Sequence, residues 1–177
     1  MKERIQMDNR PSKIEANLLI ARDIALRSPC TRRKFGAILE RDGCIISTGY
    51  NGSSRGTRNC GIDCPCLKDL YKEETMKSYD HCPAVHAEMN VIINAARNGT
   101  STIGTTLYLN TPNNGDRPCF LCRRFMIQAG VKDCYYVNGD GKVVHEEVNS
   151  WIQLENMWMI EQETFAPAKN VKSSHNP

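Results

Sequence analysis

Three side chains that must meet at one point constrain this chain more than any other feature in it. His86 and Glu88 lie two residues apart in His86-Ala87-Glu88, and a second stretch reads Pro118-Cys119-Phe120-Leu121-Cys122. One imidazole and two thiolates can hold a zinc ion and leave the fourth place for water. The fold must then bring the two stretches side by side. Cys119 and Cys122 share one face if they open a helix, and the positive end of that helix favours the thiolate form that binds metal. Glu88 is spaced to serve the water rather than the metal. Zinc brings the pKa of such a water to about 7, so a neighbouring carboxylate can take its proton. A structural zinc site fills all four places with Cys or His and has no use for Glu88. That residue separates a hydrolase from a zinc-stapled binding module.

The whole chain is compatible with this. At 177 residues it reads as a single domain over 1–177, with its core over about 14–160. The net charge of +3 is too mild to argue for a nucleic-acid or membrane partner. No apolar run is long enough to span a bilayer, and Met1 to Asp8 has no apolar signal core. These features point to the cytosol. Nine cysteines in a reducing compartment point to metal or catalysis before disulfides, and an odd number suits a disulfide framework poorly.

Periodicity and turn signals predict the elements. Residues 1–12 are polar and expected to be loose. Ile14, Leu18, Ala21 and Ala25 fall at helical spacing, with a Ser12/Glu15 capping box in front and Ser28-Pro29 behind. Phe35 to Glu40 and Cys44 to Thr48 form two strands around Arg41-Asp42-Gly43, an Asp-Gly hairpin turn. Gly49 to Ser53 is a loop. Residues 52–83 are an irregular, cysteine-rich insertion with at most a weak helical turn from Leu67 to Lys77. A second helix runs from His86 to Arg97 and closes at Asn98-Gly99. A strand over 106–110, a turn over 112–116 and a helix from Cys119 to Ala129 follow. Cys134 to Val137 is the fourth strand, and Asn138 to Gly141 breaks it. Val148, Trp151, Ile152, Leu154 and Trp158 mark a last amphipathic helix, and 166–177 is a flexible tail. The order α-β-β-α-β-α-β-α predicts an α/β fold, a three-layer α/β/α sandwich on a central mixed sheet, with the later strands parallel.

His-x-Glu followed by Pro-Cys-x-x-Cys is the pattern of the zinc nucleobase deaminases. His86 to Asn90, Ala95 to Gly99, Pro118 to Cys122, Cys30-Thr31-Arg32, Phe35 to Ile38 and above all Thr48 to Ser53 resemble the deoxycytidylate (dCMP) deaminase family, bacterial and phage branch, over about residues 14–137. The resemblance implies a cytidine-deaminase-like fold and hydrolysis of dCMP to dUMP and ammonia, feeding thymidylate synthesis. On a cytosine the attack falls on C4, and one carboxylate relays protons to N3 and to the leaving ammonia. It implies that His86, Cys119 and Cys122 hold the catalytic zinc, that Glu88 is the proton shuttle, and that Asn51 and Ala87 contact the substrate. It further implies a homo-hexamer activated by dCTP with Mg²⁺ and inhibited by dTTP, with Gly49, Tyr50, Asn51 and Gly52 in the effector loop. Pro112 to Arg117 is longer than the family's usual run before Pro-Cys, and there Arg117 reads as a solvated loop arginine before a phosphate contact.

The same branch often carries a second, structural zinc, with which Cys30, Cys60, Cys66 and Cys82 align. Cys64 and His81 are rival ligands. Cys44 and Cys134 read as core residues within strands. The alternative activities are those of other deaminases of this fold, on tRNA adenosine, cytosine, guanine or a riboflavin precursor. A tRNA enzyme needs a stronger basic face than this chain offers.

Overall fold

The structure is a computed structural model of the chain, describing residues 10–70, 82–112 and 117–165. Residues 1–9 of the expected loose start, the whole 71–81 stretch with His81, the 113–116 turn and the 166–177 tail lie outside the described residues. Helix α1 (Lys13–Ala25) opens on the expected capping box: Ser12 Oγ accepts from Glu15 N, and Ser12 N donates to the Glu15 carboxylate at 2.8 Å. Strands β1 (Gly36–Arg41) and β2 (Cys44–Tyr50) form the expected hairpin. Its turn residues Asp42 and Gly43 both have positive φ, 52° and 85°, the backbone twist that two-residue hairpins favour.

Two short strands were not expected. β3 (Gly52–Ser53) pairs antiparallel with β4 (Ala84–Val85), closing the base of the cysteine-rich excursion. Between them α2 (Leu67–Leu70) is the described part of the weak helical turn. Helix α3 (Ala87–Arg97), strand β5 (Thr106–Asn110), helix α4 (Phe120–Gln128) and strand β6 (Asp133–Val137) follow near their expected places. Then comes β7 (Val143–Glu147), a fifth strand of the main sheet, which the sequence reading missed. Asn138 to Gly141, taken as a break, is a hairpin turn: Asn138 Oδ1 accepts from the amides of Asp140 and Lys142. Helix α5 (Val148–Phe165) ends the described chain.

The sheet order is β2-β1-β5-β6-β7. β5 and β6 are parallel, joined through α4, and the other neighbours are antiparallel. The sheet is therefore mixed. Side chains alternate across it. Ile38 and Tyr108 face α1 with Leu18 and Ala21. Ala37, Leu39, Leu107 and Leu109 face the other way, onto Val91 and Ala95 of α3, Met126 of α4 and Trp151 of α5. These are the three layers anticipated. Cys134 is buried in this second cluster, but Cys44, at the exposed start of β2, is not a core residue as expected.

Candidate active site

The start of β1, the ends of β2 and β5 and the starts of α3 and α4 border a cleft of about 690 Å³. His86 is the residue before the first turn of α3, and Cys119 holds the same place at α4. Neither uses its side chain to cap its helix. They turn toward each other instead: His86 Nδ1 lies 3.5 Å from Cys119 Sγ and 3.3 Å from Cys122 Sγ. Among the described residues these three form the set whose ligand atoms converge, all within 4.8 Å of one another.

The proton balance shows what such a set lacks. The Cys122 thiol hydrogen-bonds Cys119 and, with His86, holds Cys119 as a thiolate down to a pKa of about 4. That same bond, with burial, pushes the Cys122 thiol up. The hydrogen bond to Cys119 raises His86. Two thiols this close do not both ionise readily unless a cation compensates them. Zn²⁺ supplies that charge and accepts this donor set, with a place left open.

Glu88 is 4% exposed and borders the cleft. Burial lifts its carboxyl above the usual range. It stands outside the converging triplet. Ala87, fully buried between them, also lines the cleft.

Asn51 lines it from the end of β2. Its Oδ1 accepts from Phe35 N at 2.8 Å and its Nδ2 donates to Arg33 O at 2.9 Å, so it braces the stretch that carries Cys30. Gly49, Tyr50 and Gly52 of the expected effector loop are seated on α3 and Pro29. Asn90 Nδ2 donates to Tyr50 O at 2.7 Å, and a Cβ on Gly52 would lie 3.1 Å from Pro29.

Cys30, Cys60, Cys66 and Cys82 border the same cleft, but no three of them converge as the first triplet does. Cys60 is the centre of what has assembled. Burial raises its thiol, Leu67 N–H donates to it, and its side chain hydrogen-bonds Cys66 with Cys64 nearby. Cys30 Sγ accepts from Arg33 N at 3.4 Å.

Arg117 is exposed on its loop, as expected, and is also paired. It lines the cleft, and both Nε and Nη2 donate to Glu146 Oε2, at 2.9 and 2.7 Å. Glu146 sits on β7, the strand that was not foreseen, so no sequence signal paired the two. Lys68, in the irregular stretch, also reaches the cleft without having been singled out.

Residues 11–138 match the family described as the cytidine and deoxycytidylate deaminase zinc-binding region. The chain belongs to that family. As a family member it is 37% identical over 114 residues to ComE operon protein 2 of Bacillus subtilis, covering 64% of this chain and 52% of that protein. It spans about half the length of that relative. To the deoxycytidylate deaminase of Enterobacteria phage T2 it is 31% identical over 153 residues, covering 70% of this chain and 79% of the relative. A solved dCMP deaminase from the cyanophage S-TIM5, in complex with dCMP and dUMP, matches with a TM-score of 0.55 at 29% identity, covering 72% of this chain and 82% of that one. Membership makes zinc the metal for the His/Cys/Cys cluster. No helix among the described residues is long and apolar enough to cross a membrane.

Proposed function

We propose that this chain hydrolyses dCMP to dUMP and ammonia and so supplies dUMP for thymidylate synthesis. One observation carries the reading: Glu88 is buried in the cleft beside the ligand triplet yet stands outside it. In this reading His86, Cys119 and Cys122 hold Zn²⁺. Zinc supplies the positive charge that makes a bound water acidic near neutral pH. Glu88 accepts one proton from water and passes it to ring N3, then takes the proton of the hydroxyl formed at C4 and passes it to the amino group as ammonia leaves, which balances the hydrolysis. Ala87, at the first turn of α3, and Asn51 position base and sugar. The dCMP-binding cyanophage relative and the phage T2 enzyme support the substrate assignment.

A second, structural Zn²⁺ on Cys30, Cys60, Cys66 and Cys82 belongs to the same proposal. Arg33 N donates to Cys30 Sγ at 3.4 Å, and Cys60 lies beside Cys66 and Cys64. Cys64 is the rival for Cys66. Regulation of a cytoplasmic homo-hexamer by dCTP with Mg²⁺ and by dTTP, through Gly49 to Gly52, rests on the resemblance of that loop alone.

The test offers dCMP, dCTP, CMP, cytosine and a tRNA anticodon stem to the pure protein and follows ammonia. It is run with and without dCTP, Mg²⁺ and dTTP. Release from dCMP ahead of the rest is expected, with dCTP raising it and dTTP lowering it. Glu88→Ala is expected to keep fold and zinc but to lose at least about 10²–10⁴ in turnover. Near-normal ammonia release by that variant overturns the reading.

A further inference from the structure

Arg117 stands two residues before Cys119. It borders the cleft together with His86, Glu88 and Cys119. One edge of its guanidinium is fixed by the two bonds to Glu146 Oε2. Glu146 is itself held. Tyr136 O–H donates to its other oxygen at 2.7 Å, and Trp151 Nε1–H closes on the oxygen that Arg117 uses. Trp151 is 1% exposed and Tyr136 5% exposed, so neither donor can swing away without opening the core. The carboxylate's charge is met by three donors. The Nη1 amino group of Arg117 has no partner among the described residues.

We propose that Arg117, clamped by Glu146, reads the 5′-phosphate of the substrate and sets the preference for a nucleotide over a nucleoside. This rests on the dCMP reading above. With the base at His86, Glu88 and Cys119, sugar and phosphate must occupy the rest of the same cleft. A planar guanidinium is suited to phosphate oxygens in a way a point charge is not. Fixing it in advance removes most of the ordering cost that a free arginine incurs on binding. Glu146 is the positioning residue: it never meets the phosphate but decides where Arg117 stands. Arg32, Arg33 and Lys68 also border the cleft. Arg32 pairs with Asp69 at 2.8 Å, and Arg33 and Lys68 are the competing cations.

The test measures calorimetric affinity of the zinc-loaded protein for dUMP and for deoxyuridine, so it does not depend on turnover. The wild type is expected to prefer dUMP by at least about tenfold. Arg117→Ala is expected to erase a ten- to hundredfold share of the preference, the usual range for a charge-assisted contact. Glu146→Gln is expected to lose a smaller, severalfold share, to raise KM for dCMP more than it lowers kcat, and to keep its zinc. Arg33→Ala and Lys68→Ala should leave the preference in place. Thermal unfolding of each variant checks that Arg117→Ala, a half-exposed position, stays folded. A preference that survives Arg117→Ala, or that disappears equally in Lys68→Ala, overturns the proposal. The two readings fail separately. A wild type that prefers dUMP but releases no ammonia from dCMP leaves the clamp standing and removes the reaction. A wild type that deaminates dCMP while Arg117→Ala keeps its preference removes the clamp alone.

Discussion

A side chain at position 49 would have nowhere to go. A Cβ built there lies 2.4 Å from Val91 N and 2.8 Å from Ala87 O, both backbone atoms of α3. Strand β2 therefore rests directly on the turn that follows His86 and carries Glu88. The sequence reading took Gly49 as part of a loop that touches an effector, and the structure adds a packing reason for the glycine. Gly49→Ala must push β2 off α3, and such overpacking costs about 1–3 kcal/mol. We expect a lower urea midpoint and, because Glu88 shifts with α3, a parallel fall in kcat/KM. An unchanged midpoint would show that the strand yields freely. At this scale the ligand triplet was legible, because His86, Cys119 and Cys122 carry their chemistry in their spacing, as does Glu88 beside them. Arg117 was not, because its role depends on Glu146, a partner on a strand with no clear pattern.

Strand β7 was unreadable for a physical reason. Its five residues, Val143 to Glu147, alternate between exposed and half-exposed, so no apolar face marks it. What holds it is a polar hub. Burial pushes the Glu146 carboxyl up, but hydrogen bonds from Arg117, Tyr136 and Trp151 outweigh burial and leave it below the usual range. Helix α5 was legible through Val148 and Trp151, the residues that bury it. Trp151→Ala is expected to cost about 3–5 kcal/mol. Trp151→Phe keeps much of the bulk but removes one donor to Glu146, for about 1–3 kcal/mol. The sign with pH follows from the direction of the shift. A carboxyl whose folded pKa is depressed stabilises the fold above its unfolded value, near 4.5, and loses that contribution as pH falls through the folded value. The gap in melting temperature between wild type and Trp151→Phe should thus be full at pH 7 and should narrow below about pH 4.5. A gap that stays constant down to acid pH would assign the loss to packing alone.

Across the molecule, the elements that bury a face against the sheet were legible and the excursion between β3 and β4 was not. Helices α1, α3 and α4 repeat apolar residues at helical spacing, and the β1–β2 hairpin announces itself with Asp42-Gly43. The described part of the excursion has no such pattern, because it does not bury one. Ile62 is 70% exposed and Leu70 61% exposed. The Arg32–Asp69 pair at 2.8 Å joins exposed side chains, and such pairs contribute at most about 1 kcal/mol. Hydrophobic burial and surface charge therefore leave the described part of this segment without a sufficient anchor, whereas Cys60 sits beside Cys66 and Cys64 with a backbone N–H on its sulfur. In the proposed reading a thiolate-bound metal supplies that free energy. The wild type is expected to hold two zinc ions per chain by elemental analysis. Cys60→Ser should hold one and melt lower, and a protease should cut it within 54–83 while the wild type resists. Cys119→Ser should lose the other ion and all turnover yet keep the protected segment. Two ions in Cys60→Ser, or equal resistance to the protease, would mean that the excursion is held by something other than metal.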